Sequence, residues 1–372
     1  MNLMRVFLFF ILCFAVCLAA IASESVGEIT YLEGAVDITR DGEVLESDSV
    51  DIGSEIENYD FVKTGSNGTL IIELNTVQTP GAQLTISSNT VFSIEIGKIQ
   101  NSKNTSVNVI TGSLALKVQK ITGNKSLDVN TESASMGVRG TNFSVETAPG
   151  GDLLVSCDEG KVECTSNSKK KLYAEPGKIV EYEEGKDIRN VPVAVTELKS
   201  FRKNWMADKI TVFKSNALRA IKQYAGKYEE LYSQFNTAYA NLVKQSSIIN
   251  KWSGQDAKGT MGGTMEIMSD KKKLIGPLLA IRKQLVIFEK IYYRLVELKE
   301  YYKQGYGKGT IKAGLTTDSF FSKFERERKD LEKKMAVVNH VVKMYSLRNE
   351  GSFAADGLSG VSDDFFDDND DF

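Results

Sequence analysis

Between residues 23 and 194, apolar and polar side chains alternate in short runs. Examples are Val36-Asp-Ile-Thr, Thr69-Leu-Ile-Ile-Glu-Leu, Gln83-Leu-Thr-Ile, Val91-Phe-Ser-Ile-Glu-Ile, Leu114-Ala-Leu-Lys-Val and Lys178-Ile-Val-Glu-Tyr. A period of two is the mark of a strand with one face buried. Turn pairs separate many of these runs: Asp41-Gly42, Asn67-Gly68, Pro80-Gly81, Gly150-Gly151 and Pro176-Gly177. No helical period is sustained anywhere in the zone. Short, regular strands of this kind predict an all-β domain over 23–194, built as a short β-solenoid or a sandwich.

From residue 195 the period changes. Ile221, Tyr224, Tyr228, Leu231, Phe235, Tyr239 and Leu242 step by three and four. Leu274, Leu278, Ile281, Leu285, Phe288, Tyr292 and Leu295 do the same. A third series runs Phe324, Leu331, Met335, Val338, Val342 and Tyr345, with Arg328 filling one step. These stripes predict three amphipathic helices with coiled-coil-like seams. The Gly-rich stretches Ser253–Gly263 and Gln304–Gly314 are the expected connections. Both are short, so the helices of 195–350 are expected to run antiparallel as a three-helix bundle. The first is expected to start near Val195 and to break at Ser215-Asn216. Pro277 is expected in the first turn of the second, where its missing N–H costs nothing. The fold class is therefore α+β with segregated parts.

The two ends read differently. Arg5, the apolar run Val6 to Ala19 and Ala20-Ile21-Ala22 form a secretory signal over 1–22, with cleavage expected between Ala22 and Ser23. The alternative is a retained anchor, since about 17 apolar residues is the low end of a membrane span. Either way the rest of the chain is expected to be exported, to the periplasm or envelope. Residues 351–372 hold seven acidic residues and no basic one. Such a tail repels itself and is expected to be disordered.

Charge sharpens this division. The chain's formal net charge is only −3. Residues 23–194 carry 15 Lys and Arg against 26 Asp and Glu, whereas 195–350 carry 30 against 16. An acidic β-domain thus precedes a basic helical one. Export argues against nucleic acid as the partner of the basic part. The remaining anionic partners are an envelope protein, a glycan or a lipid surface. Within the molecule, the acidic β-domain or the tail is a further partner, and self-association is a further use of the helices.

Candidate chemistry is sparse. The one histidine, His340, makes His-rich metal sites and triads unexpected. It lies among Val338, Val341 and Val342, as a packed or rim residue. Gly305-Tyr-Gly-Lys-Gly-Thr310 resembles a phosphate loop but lacks the Gly-Lys-Thr adjacency and follows a helix. No metal, cofactor or catalytic residue is expected. Cys157 and Cys164 remain once Cys13 and Cys17 leave with the signal. If Gly160-Lys161 is a two-residue hairpin turn, the two cysteines face each other across strands, and a disulfide is expected.

Three stretches carry a family resemblance. The first is Gly27-Glu-Ile-Thr-Tyr-Leu-Glu-Gly-Ala-Val. The second is Gly53-Ser-Glu-Ile-Glu-Asn-Tyr-Asp-Phe-Val-Lys-Thr-Gly65 with the strand that follows it. The third contains Val138, Arg139, Gly140, Thr141 and Phe143, followed by Val-x-x-x-Glu-Gly-x-Val at 155–162. In that order they resemble the FecR domain, the extracytoplasmic domain of the iron-dicitrate regulator family. The resemblance runs from Gly27 to Val191 and implies a short β-solenoid or sandwich-like fold. On its own chemistry, Gly140 permits a tight or left-handed turn and Thr141 restarts a strand. Arg139 is a fork of donors for carbonyls at the corner, or alternatively for a ligand. The family's namesake joins this domain to a cytoplasmic anti-sigma segment; here only Met1–Arg5 precede the apolar run, so that coupling is not expected. The leading expectation is a non-enzymatic envelope protein, with the FecR-like domain as a binding or scaffolding module and the helices as a partner or self-association surface. The alternatives are a membrane-anchored signalling regulator and, less supported, a glycan-acting enzyme.

Overall fold

The computed structural model describes residues 25–41, 43–76, 79–99, 102–119, 126–138 and 140–350. Ala22, Ser23 and the apolar run before them, Arg139, and the acidic tail 351–372 lie outside the described residues.

Among the described residues, the regular structure of the first part is strand, apart from one 3-10 turn at Ser47–Ser49. Its elements are β1 (Ser25–Glu33), β2 (Val36–Arg40), β3 (Glu43–Leu45), β4 (Glu55–Glu57), β5 (Phe61–Thr64) and β6 (Thr69–Leu74). Next come β7 (Ala82–Ile86), β8 (Val91–Ile99), β9 (Ser102–Lys117), β10 (Ser126–Asn130), β11 (Ala134–Val138) and β12 (Asn142–Thr147). The last are β13 (Leu153–Glu159), β14 (Val162–Ser166), β15 (Lys171–Ala174), β16 (Lys178–Tyr182) and β17 (Arg189–Pro192).

They form two facing sheets. One runs β4-β1-β6-β7-β9-β12-β13-β16-β17. The other runs β3-β2-β5-β8-β9-β10-β11-β14-β15. All pairings are antiparallel except β9 with β10. The long β9 belongs to both sheets and bends at Gly112, whose φ is +92°. A Cβ there would stand 2.3 Å from Thr90 Oγ1, so only glycine lets the strand pass this corner. The architecture is thus an open two-sheet sandwich and not a closed solenoid. Alternation holds as the sequence predicts: Ala82, Leu84 and Ile86 of β7 are buried while Gln83 and Thr85 are exposed. Ile72, Leu84, Phe143 and Val155 from one sheet meet Val62, Phe92, Val109 and Met136 from the other in one core. Each such side chain contributes about 1.5–3 kcal/mol when fully buried.

The helical part holds four helices where three were expected: α1 (Leu198–Val243), α2 (Ser246–Asp256), α3 (Thr264–Lys303) and α4 (Thr317–Glu350). The extra one, Ser246–Asp256, follows the end of α1 and takes only residues 253–256 from the expected first connection, leaving 257–263 as loop. A two-stranded hairpin, β18 (Thr310–Lys312) and β19 (Leu315–Thr316), occupies the second. The stripes meet in an aromatic-rich core, where Phe235 stacks on Phe288 at 4.7 Å and Tyr228 meets Phe324 edge-on at 5.3 Å. Pro277 lies inside α3, not in its first turn, because the helix starts earlier, at Thr264. Its missing N–H and ring remove one helical hydrogen bond there. Asn216 breaks the helical dihedrals of α1, with φ −119° and ψ 16°. The cause is local: Ser215 Oγ and Asn216 Nδ2 both donate to the Val212 carbonyl, at 2.7 and 3.2 Å. The Gly-rich segment resembling a phosphate loop packs onto this break. A Cβ on Gly307 would lie 2.3 Å from Ile221 Cδ1, so the glycine serves close packing.

The break lets the helices hold the sandwich on both sides. Before it, Leu198 and Trp205 of α1 pack on Ala148, Leu154, Ile179 and Val193. Beyond it, Tyr293 of α3 packs on Phe61, Val91 and Ile110 of the other sheet.

Candidate functional site

The recognisable run at 138–143 is a crossing between sheets. Val138 ends β11 in one sheet, and Phe143 sits in β12 of the other; both are buried. Gly140 takes φ +80° at the corner. A second crossing, from β13 to β14, turns at Gly160 with φ +88°. The two corners touch: a Cβ on Gly160 would stand 2.8 Å from Thr141 Cγ2 and 3.0 Å from the Gly140 carbonyl. The motif and the Glu-Gly that follows it are therefore one packed feature, and the role expected of Arg139 falls outside the described residues.

The same crossing overturns the expected disulfide. Gly160-Lys161 is not a hairpin turn: β13 pairs with β12 and β16, while β14 pairs with β11 and β15. Cys157 lies opposite Phe143, and Cys164 lies opposite Met136 and Leu172. Both are free, buried thiols. Burial pushes Cys157 up to about 11 and Cys164 up to about 12, so neither is a nucleophile at neutral pH.

Chemistry gathers instead where the two parts meet. Lys343 of α4 donates to Asp41 Oδ1 at 2.7 Å and to Glu57 Oε2 at 2.9 Å. Burial opposes its charge, but the hydrogen bonds to Asp41 and Glu57 prevail and raise its pKa. His340 Nδ1 lies 3.4 Å from the same Asp41 oxygen, and its Nε2 lies 3.3 Å from Ser253 Oγ. With His340 and Lys343 beside it, Asp41 is held well below the usual carboxylate range. Arg40 extends the network inward, contacting Asp60 at 2.5 Å and Glu57 at 3.0 Å. Asp60 is nearly inaccessible, and burial raises its pKa despite Arg40.

Further along this seam, Tyr59 donates to Ser346 at 3.0 Å, and Phe61 stacks on Tyr293 at 5.0 Å. Arg282 grips Glu95 at 2.8 and 3.0 Å. Glu289, beside them, receives a hydrogen bond from Asn339 at 3.0 Å. Burial pushes its carboxyl up to about 7.

The other side of the sandwich is held by the same logic. Arg202 Nη1 donates to Ser144, Ser156 and Asp158 at 2.9, 3.1 and 3.1 Å. Trp205 donates to Glu181 at 2.7 Å, and Lys209 pairs with Glu183 at 3.2 Å. Glu146 is half-buried beside Arg202 of α1, and desolvation pushes its carboxyl up to about 7. At the end of the sandwich, Arg294 donates to the Ala148 carbonyl at 2.9 Å. In each ion pair that crosses between the two parts, the carboxylate comes from the β-domain and the cation from the helices. Arg202, Lys209, Lys227, Arg282 and Lys343 thus join the basic helices to acidic positions of the β-domain. The sequence signalled this through its zonal charge but named none of these residues. His340, expected as a packed or rim residue, is placed at the seam. Among the described residues, no group of three His, Cys, Asp or Glu is placed to hold a metal ion.

Residues 60–163 match a family described as FecR protein. The chain carries a FecR domain. The match spans the second sequence stretch's end through the paired Gly140 and Gly160 corners, and so includes Phe61 and Glu95 of the seam. Two crystal structures of a candidate anti-sigma factor from Parabacteroides distasonis ATCC 8503, at 1.65 and 2.50 Å, are similar to this chain at 16% identity with a TM-score of 0.30. The similarity covers 38% of this chain and 63% of theirs, so less than two thirds of those proteins is spanned. No curated protein matches.

Proposed function

We propose that this chain is a non-enzymatic extracytoplasmic regulator of the FecR type. The FecR domain is its sensing module, and the helical part reads that module's state. The FecR match supports the class. The seam is the observation that carries the mechanism. The β-domain is held on one face by Leu198 and Trp205 with ion pairs around them, and on the other by ion pairs and aromatic contacts; the charged contacts make a junction that ligand binding can bias. The signal-like N-terminus supports an exported, envelope-associated location, by cleavage before Ser23 or by a retained anchor. The multiple ties across both faces favour, as a second reading, a binding or scaffolding module of the envelope with no signalling output.

Transcript profiles separate the two. They are compared in cells with the intact chain, without it, and with Lys343→Glu plus Arg282→Glu. Regulation predicts that deletion and seam opening each change a small, overlapping set of transcripts while the altered chain stays in the envelope. Unchanged transcripts in both would sink regulation and leave scaffolding. Mass-spectrometric reading of the N-terminus decides the anchor: Ser23 excludes it, and Met1 supports it.

A further inference from the structure

Most large apolar side chains of the helical part are covered, but one group is not. Met261, Met265 and Met268 are 53%, 81% and 51% exposed. Met265, Met268 and Lys272 fall on one face of α3 at helical spacing, and Met261 stands in the loop just before it. Lys258, Lys272 and Lys273 are exposed around them. These lysines form no ion pair with another described residue. The nearby acids are already held: Glu266 by Lys251 at 2.9 Å, Asp270 by Lys251 and Trp252, and Asp256 by Arg348 at 2.7 Å. The patch is therefore apolar at its centre and cationic at its rim.

A chain of contacts places the patch relative to the N-terminus. Ser25, where the described chain begins after the apolar run, pairs with Glu57. Glu57 is tied to Lys343 at 2.9 Å. One and a half turns along α4, about 7.5 Å by helical rise, Arg348 grips Asp256 and the Trp252 carbonyl. The chain then runs from Asp256 through Lys258 to Met261. The methionine-bearing loop is thus linked through α4 to the strand pair β1–β4.

We propose that this patch is a membrane-surface contact. Met261, Met265 and Met268 enter the interfacial layer of an anionic bilayer, and Lys258, Lys272 and Lys273 meet its headgroup phosphates. Flexible thioethers suit an irregular, fluid surface, and cations flanking an apolar face give affinity that depends on anionic lipid. Among the described residues no helix is long and apolar enough to cross a membrane, so the contact lies on the surface. It rests on the extracytoplasmic reading only for where such lipid is met. Binding in vitro stands or falls separately.

The test uses the exported chain as recovered from cells, carrying Met265→Trp. Trp205 and Trp252 are buried and give a constant background. With vesicles rich in phosphatidylglycerol, the new tryptophan should shift to the blue and be quenched by brominated lipid. With pure phosphatidylcholine it should do neither. Lys258→Glu, Lys272→Glu and Lys273→Glu together should weaken that response about tenfold or more, with an unchanged thermal melt. Because the probe reports depth at residue 265, a retained anchor cannot mimic it; Met268→Trp serves as the second probe if the first fails to fold. No shift with anionic vesicles would overturn the proposal. So would a shift that grows with protein concentration alone, assigning the patch to a second copy, or one lost without vesicles on deleting residues 351–372, assigning it to the tail.

Discussion

Arg282 of α3 donates to both carboxylate oxygens of Glu95 of β8, at 2.8 and 3.0 Å, and each side chain is only 13% exposed. The pair ties the FecR domain to the helices across the face where Phe61 and Tyr293 stack. Removing one partner of a buried pair costs about 3–5 kcal/mol at full burial, mostly by stranding the other charge. Arg282→Met and Glu95→Met should each destabilise the chain by about 2–4 kcal/mol on this basis. The double variant should recover most of that loss, because no lone charge is left. A double-mutant cycle from urea unfolding reads this directly. Additive losses would show that the pair is not coupled.

The seam also carries a pH dependence with a definite sign. Burial raises Glu289 from 4.5 to about 7 and Glu146 likewise to about 7. A carboxyl whose folded pKa is raised supports folding fully below its unfolded value. That support is lost as pH rises from the unfolded value through the folded one. Stability should therefore fall between about pH 5 and 7. Asp41 acts in the opposite sense: its lowered pKa gives stability above its unfolded value, lost as pH falls. Glu289→Gln keeps the acceptor for Asn339 and removes the titration. It should match the parent at low pH and exceed it by about 1–3 kcal/mol above pH 7. Urea midpoints across pH check this, and parallel curves for the two proteins would refute it.

Which parts of this were legible in the sequence follows from what periodicity can encode. Ala82, Leu84 and Ile86 alternate with Gln83 and Thr85, and the local spacing alone predicts the strand. The helix break at Asn216 was legible because its cause, side chains competing for the Val212 carbonyl, is local. Gly160-Lys161 was not, since a hairpin turn and a crossing between sheets need the same residues and differ only in the strands they join. Likewise Phe61 and Glu95 occupy the outward positions of their strands, which read as solvent-facing until α3 is laid over them. Zonal charge admitted the acidic β-domain as one partner of the basic helices, while the pairing of Lys343 with Asp41 spans most of the chain and leaves no local trace. Pro277 misled because the stripe is unbroken only from Leu274, whereas α3 begins ten residues earlier at Thr264, beside the exposed Met265 and Met268.

The touching corners at Gly140 and Gly160 make a graded prediction. Gly160→Ala meets both a left-handed φ of +88° and a Cβ position 2.8 Å from Thr141 Cγ2. Gly185→Ala meets a similar φ of +75° but nothing within 4 Å. The second should cost about 1 kcal/mol, the left-handed penalty alone. The first should cost about 1–3 kcal/mol more, from the clash and the shift of one corner against the other. Equal losses in thermal unfolding would mean that the corners do not press on each other.

Cys157 and Cys164 test the two-sheet topology chemically. A hairpin at Gly160-Lys161 would bring them face to face and oxidise them in an exported protein, whereas the crossing sets each opposite a different partner, Phe143 and Met136. Both thiols are buried, with pKa values pushed to about 11 and about 12. Thiolate is the reactive form, so the folded chain should resist alkylation at pH 8 at both positions. In denaturant without reductant, both should be alkylated, and peptide mapping should recover each as a separately modified cysteine. A disulfide-linked peptide pair joining 157 to 164 would mean that the two thiols, which lie in one core and act on each other's charge, reach bonding distance and are not held apart as free thiols.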